Sequence, residues 1–204
     1  MLWSAFYPEL LIFTGSAPIP LLEMKARQAA IEFFQRSRTW VEWLDPALSL
    51  EGSVEYDFDI PSQSDVARVE RATVDGKPIE ILSYRDIPHD WASVDVDRQG
   101  LVSRDLKIFR LGQVVAAGLE IRVQVALTPS RASTGLPDDL FDKYRDDIVH
   151  GALSKLLALP SLESYNPEMA RLEFSLFETA IAANAVDSWR GMTANTPRRR
   201  LNIC

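Results

Sequence analysis

Pro18-Ile-Pro-Leu-Leu-Glu-Met-Lys-Ala-Arg-Gln-Ala-Ala-Ile-Glu-Phe-Phe-Gln-Arg-Ser-Arg-Thr-Trp40 is the stretch from which the rest of the chain can be read. Its apolar residues Leu22, Ala26, Ala29, Ala30, Phe33 and Phe34 recur at the spacing of one helix face. Pro20 suits the first turn, where a missing N–H costs nothing. Glu23 near the start and Arg36 and Arg38 near the end complement the helix dipole. The alanines admit a close neighbour, and the two phenylalanines supply bulk at one end. The spacing therefore predicts a core helix, which says how the chain packs and not what it does.

Before it, residues 1–17 read as an arm. Trp3, Phe6, Tyr7, Leu10, Leu11, Ile12 and Phe13 are too apolar to stay in water, yet Pro8 and Gly15 interrupt any long element. Such a segment covers itself either on its own domain or on a neighbour. After the helix, Trp40, Val41, Trp43 and Leu44 read as core plugs, and Asp45-Pro46 breaks the chain.

From Ser53 the apolar period changes to two. Val54, Tyr56, Phe58 and Ile60 alternate with Glu55, Asp57 and Asp59, a half-buried strand with an acidic face. Asp65–Val74 and Lys77–Tyr84 flank Asp75-Gly76, which accepts the positive φ of a type I′ hairpin turn. Ile79 and Ile81 face Val69 and Val74 as its apolar partners. Residues 85–100 read as a long polar loop. Leu106–Arg110 reads as a short strand, and Leu119, Ile121, Val123, Val125 and Leu127 give the clearest alternation of all.

Two further helices follow. One starts at Pro137 with Asp138 and Asp139 at its positive end and carries Phe141, Tyr144, Ile148, Ala152 and Leu156 on one stripe. Gly151 within it marks either a close helix approach or a tolerated glycine. The other opens at Asn166-Pro167-Glu168, with Met169, Leu172, Leu176, Phe177, Ala180, Ile181 and Asn184 along its predicted inner face. The order helix, strands, helix, helix predicts an α+β fold, a small helical bundle (18–44 and 137–190) with an inserted antiparallel β-sheet (45–136). Residues 191–204 read as an extended basic C-terminal arm.

Composition narrows the function. The chain has 204 residues, enough for one sizeable core, with 47% hydrophobic and 25% charged residues, the balance of a soluble globular chain. No apolar run approaches the roughly 18 residues of a membrane span, and the apolar start lacks the basic region of a signal peptide. Cys204 is the single cysteine, so no disulfide framework or cysteine metal site is expected. The net charge of −7 argues against a general nucleic-acid binder. No phosphate-binding glycine motif, nucleophile elbow or zinc-protease helix occurs, so no cofactor is signalled.

Few residues are left to carry chemistry. His89-Asp90 is half of an acid–base pair without a nucleophile, and Asp95 and Asp97 follow in the same loop. His150 reads as a surface or interface imidazole. Glu55, Asp57 and Asp59 read as a solvated strand face or, as the alternative, ligands for a divalent ion. The last turn of sequence is basic with two apolar anchors: Arg198, Arg199, Arg200, Leu201 and Ile203. It reads as a solvated end, as a docking peptide for an acidic or grooved partner, or as a phosphate contact.

The motifs and their order resemble the head-to-tail adaptor (connector, or neck) proteins of tailed bacteriophages. The resemblance rests on Ala29-Ala30-Ile31-Glu32-Phe33-Phe34-Gln35-Arg36-Ser37, with Phe34 where that family often has cysteine. It rests also on Val74-Asp75-Gly76-Lys77-Pro78, on the strand Val123–Ser130, and on the helix motif Leu136–Leu156 with Leu140, Tyr144, Ile148 and Gly151-Ala152. The resemblance implies a non-enzymatic virion protein of the neck, assembled in the host cytoplasm. It implies a homo-oligomeric ring, usually twelve-fold, below the portal protein. Such a ring extends the DNA channel without specific DNA binding and presents a platform to a tail tube or nozzle protein. By the same analogy, Arg198, Arg199, Arg200, Leu201 and Ile203 would contact the portal. The competing readings are another neck or tail-completion protein, or a small enzyme or ligand-binding module using the His89–Asp97 loop.

Overall fold

The computed structural model describes residues 1–83, 100–112 and 115–190. The opening helix stretch forms α2 (Ile19–Ser37), and its buried residues are Leu22, Ala26, Ala29, Ala30, Phe33, Phe34 and Ser37, the expected face. It ends because Arg38 turns left-handed (φ 52°) and its N–H closes on the Phe34 carbonyl at 3.0 Å. Phe33 and Phe34 then meet Tyr144 of α3 (Asp138–Leu157) at ring separations of 5.2 and 5.7 Å. Phe34 also meets Trp40 at 5.8 Å and Phe33 meets Phe177 of α4 (Pro167–Arg190) at 6.3 Å. These aromatic edges and faces make the centre of the core.

Residues 1–17, read as an arm that covers itself on its own domain or on a neighbour, pack on their own domain. They form a 3₁₀ turn (Trp3–Phe6) and a short helix, α1 (Tyr7–Thr14). Pro8 sits in the first turn of α1, where it costs no hydrogen bond, and Gly15 (φ 60°) ends it. Trp3, Phe6 and Leu10 are buried on the chain's own core. The Trp3 indole donates to the Ser133 carbonyl at 2.7 Å, and Phe6 meets Phe141 edge-on at 4.9 Å.

The strands form one eight-stranded sheet. They are β1 (Val41–Trp43), β2 (Ala47–Leu48), β3 (Glu55–Asp57), β4 (Ser64–Val74), β5 (Lys77–Ile81), β6 (Gly100–Val102), β7 (Ile108–Leu111) and β8 (Glu120–Pro129). The order is β1-β8-β4-β5-β6-β7-β3, with β2 also paired to β8. The expected hairpin is present: Asp75 and Gly76 both have positive φ (49° and 72°), and Ala72 pairs with Ile79.

The sheet departs from expectation in two ways. It is mixed, because β5 and β6 run parallel while every other pair is antiparallel. Gly100, read as the end of a loop, opens the strand Gly100–Val102 that makes this parallel pair; its three residues are all buried and hold no alternation to read. The sheet is also not set apart from the helices. The β1 residues, read as part of the bundle, pair with β8, and α2 lies on β8 with Thr128 Oγ1 donating to the Ile31 carbonyl at 3.3 Å. A single hydrophobic core runs through helices and sheet.

α4 also departs from the predicted face. Its buried side is Ala170, Glu173, Phe177 and Ile181, while Leu172 and Leu176 are 54% and 41% exposed. Two apolar stripes share this helix, and the one that turns inward carries a carboxylate. Glu173 is accommodated because Oε2 accepts from His150 Nδ1 at 2.5 Å, so His150 faces a helix neighbour. Asn166 caps α4 as expected, its Oδ1 accepting from the Met169 amide at 3.0 Å.

Candidate functional site

A wide recess opens where α2 ends. Its volume is about 750 Å³, and Arg36, Arg38, Arg71, Lys143, Tyr144 and Asn184 line it. Each of these comes from a different structural cause. Arg36 is in the last turn of α2, held by Glu178 of α4 through two bonds of 2.5 and 2.6 Å. The hydrogen bond from Arg36 lowers the Glu178 carboxyl below its ordinary range, and the Glu178 bond in turn raises the guanidinium. Arg38 occupies the left-handed position that ends the helix, a place usually given to glycine. The hydroxyl of Ser188 donates to its carbonyl at 2.5 Å, tying the end of α2 to α4.

Arg71 reaches the recess through a backbone device. β4 is shifted against β8 between Val66 and Arg68 and again between Val69 and Arg71, two β-bulges. Each inserts one residue, so the strand's facing repeats every three residues there. Val66, Val69 and Ala72 are all buried, while Arg68 and Arg71 are both exposed. In a regular strand, residues three apart point to opposite faces. The bulges bring Arg68 and Arg71 to one side.

The recess thus gathers Arg36, Arg38, Arg71 and Lys143 on an acidic chain, and carboxylates temper it: Glu32 and Glu178 pair with Arg36, and Glu70 stands in the lining. Glu70 Oε1 lies 3.9 Å from Arg38 and is buried without a hydrogen-bond partner among the described residues. Asp147, near the rim, accepts from Asn184 at 3.0 Å; burial raises its carboxyl, and the Asn184 bond opposes that. Chemically the recess can hold an anionic group. Its lining has no histidine or cysteine. Ser37 and Thr39 hydroxyls bond to each other at 3.1 Å, with no base against either in the lining.

The other candidates separate. Glu55 and Asp57 stand on the edge strand β3 as exposed residues, with Glu55 3.7 Å from Arg110, and Asp59 follows. No group of three or more histidine, cysteine or acidic residues able to hold a metal ion occurs among the described residues. His89, Asp90, Asp95, Asp97, Cys204, Arg198, Arg199, Arg200, Leu201 and Ile203 lie outside the described residues. The recess itself escaped sequence reading. Arg36 and Arg38 read as helix-dipole partners, and the spacing of Arg68 and Arg71 splits them across a strand until the bulges are known.

No single helix among the described residues is long and apolar enough to cross a membrane. No protein-family model matches the sequence, and no curated protein matches it.

Proposed function

We propose that this chain is a structural adaptor of a tailed-phage neck, a non-enzymatic ring subunit that sits below the portal protein and prolongs the DNA channel toward a tail tube or nozzle. One observation carries the reading: the main apolar residues of the resemblance are buried, and its Asp-Gly pair forms a turn. Ala29, Ala30, Phe33 and Phe34 are buried on α2, Asp75-Gly76 forms the I′ turn, and Leu136, Leu140, Tyr144, Ile148 and Ala152 are buried along α3 and its approach. Gly151 makes room for Phe177.

The charge distribution supports the same role. A channel subunit with net charge −7 repels passing DNA and lets it slide. The arginine cluster Arg198, Arg199, Arg200 with Leu201 and Ile203 is the proposed portal contact. The test is reconstitution with the portal of the same virus and imaging of the particle. The expected result is a ring of this chain under the portal, twelve-fold by analogy, that is lost when 197–204 are deleted while the folded body survives. Absence of any portal-associated ring overturns the proposal.

A further inference from the structure

The recess at the end of α2 leaves several of its polar side chains without the partners that burial normally gives them. Tyr144 is one. It is 3% exposed, with its ring packed on Phe33 and Phe34 and the Lys143 ammonium 4.9 Å above its centre. Its hydroxyl nevertheless makes no hydrogen bond among the described residues. Glu70 is another. Its Oε1 is buried 3.9 Å from an Arg38 nitrogen, beyond hydrogen-bond reach, and neither carboxylate oxygen accepts a hydrogen bond among the described residues. Arg71 is exposed and its guanidinium makes no hydrogen bond or ion pair among the described residues. All of these line the recess. Arg36, on the same lining, differs in that Glu178 and Glu32 already hold it.

The backbone puts two of these groups side by side. Glu70 is the residue that the second bulge of β4 adds, between Val69 and Arg71. In a regular strand, neighbours point to opposite faces; here Glu70 and Arg71 both stand in the wall of one recess. A carboxylate that only accepts therefore sits beside a guanidinium that only donates, with the tyrosine hydroxyl in the same recess. A cation finds no use for Arg71, and an oxyanion stripped of every proton is repelled by Glu70. An oxyanion that keeps one proton satisfies both. We propose that the recess binds inorganic phosphate, its unprotonated oxygens accepting from Arg38, Arg71 and Tyr144 and its P–OH donating to the Glu70 carboxylate. Phosphate keeps that proton through neutral and mildly alkaline pH. Sulfate has none there, and a phosphate monoester, with a second pKa of about 6, has lost its own. Arg38 and Arg71 supply the attraction, and Glu70 selects for the proton. Phosphate binding at this recess is independent of the adaptor reading.

The full-length protein is titrated with inorganic phosphate, sulfate and methyl phosphate at mildly alkaline pH and constant ionic strength, and backbone amide shifts are followed by NMR. All three anions are then chiefly dianions, so overall charge does not separate them. Phosphate binds about tenfold tighter than sulfate or methyl phosphate, because only phosphate gives Glu70 a donor. The shifts centre on Glu70, Arg71 and Tyr144. Glu70→Gln keeps the size of the side chain, removes its charge and adds a donor; it brings phosphate and sulfate within about twofold of each other. Arg71→Gln weakens phosphate about tenfold, whereas Lys107→Gln, exposed and outside the lining, changes nothing. The wild-type preference is read without any variant, so a variant that fails to fold leaves the test standing. Equal affinity for phosphate and sulfate, no saturable shift with phosphate, or shifts centred away from the recess each overturns phosphate binding there. A preference for phosphate that survives in folded Glu70→Gln overturns it too, as does an equal loss in Arg71→Gln and Lys107→Gln. Methyl phosphate binding as tightly as phosphate overturns the free ion as the ligand and points to a larger phosphate ester.

Discussion

Gly151→Ala in α3 should destabilise the protein, although the same exchange in an open helix stabilises it. Helix propensity favours alanine over glycine by about 1 kcal/mol. Against this, a Cβ built at Gly151 falls 2.6, 2.8 and 2.8 Å from three atoms of the Phe177 ring, well inside van der Waals contact. The ring has nowhere to go: Phe177 is fully buried and packs on Phe33. Overpacking of this kind costs about 1–3 kcal/mol. The clash outweighs the propensity gain, and the net expectation is a loss of about 1 kcal/mol, read as a lowered urea midpoint at unchanged slope and a melting temperature lower by roughly 2–4 °C. Pairing Gly151→Ala with Phe177→Leu should cost less than the sum of the two single changes, because the smaller side chain relieves the overlap. Equal or higher stability for Gly151→Ala refutes the claim that α4 is seated on α3 through this glycine.

Arg38→Gly should leave stability within about 1 kcal/mol of wild type in urea unfolding, since glycine adopts the left-handed position freely but Glu70 loses the cation beside it; it should also weaken phosphate binding to the recess, followed by NMR shifts. Asp147→Asn tests burial of a carboxylate. Because the folded carboxyl is raised, the folded state binds the proton more tightly than the unfolded one, and stability falls as pH rises through the window above the ordinary carboxylate value. The variant should therefore gain under about 1 kcal/mol at neutral pH, and the gain should vanish in acid below the ordinary carboxylate value. Glu178→Gln has the opposite sign. Its carboxyl is lowered by Arg36, so its contribution is present above the ordinary value and lost as pH falls through the lowered one; at this exposed pair it amounts to under about 1 kcal/mol at neutral pH. Gly76→Ala at the hairpin turn (φ 72°) should cost about 1 kcal/mol in the same assay.

Much of the fold is legible in the residues. The α2 face, the Asp75-Gly76 turn, the alternation of β8 and the α3 stripe follow from period and turn chemistry, because each element there has one apolar side. Legibility ends where an element has two. α4 offers Leu172 and Leu176 against Ala170, Phe177 and Ile181, and the chain buries the stripe containing Glu173 because His150 stands opposite. α1 likewise reads as an arm since Pro8 and Gly15 look like breaks, while they serve as its first turn and its end. The parallel pair of β5 and β6 depends on a long connection whose path no local pattern encodes. The recess depends on β1, β4, β8, α3 and α4 meeting at the end of α2, and nothing in the order of residues announces that meeting.

The irregular strand β4 has a simple grammar beneath it. From Val66 to Ala72 it sets seven residues beside the five from Leu127 to Val123. Strike out Ala67 and Glu70 and what remains, Val66-Arg68-Val69-Arg71-Ala72, alternates inward and outward without a fault. Those two residues are therefore supernumerary to the facing of the strand, and losing either one would straighten the backbone while every flanking side chain kept its side. A deletion, ordinarily the harshest edit a sheet can suffer, is here the mild one; keeping all seven residues in regular pairing is what would part the two arginines.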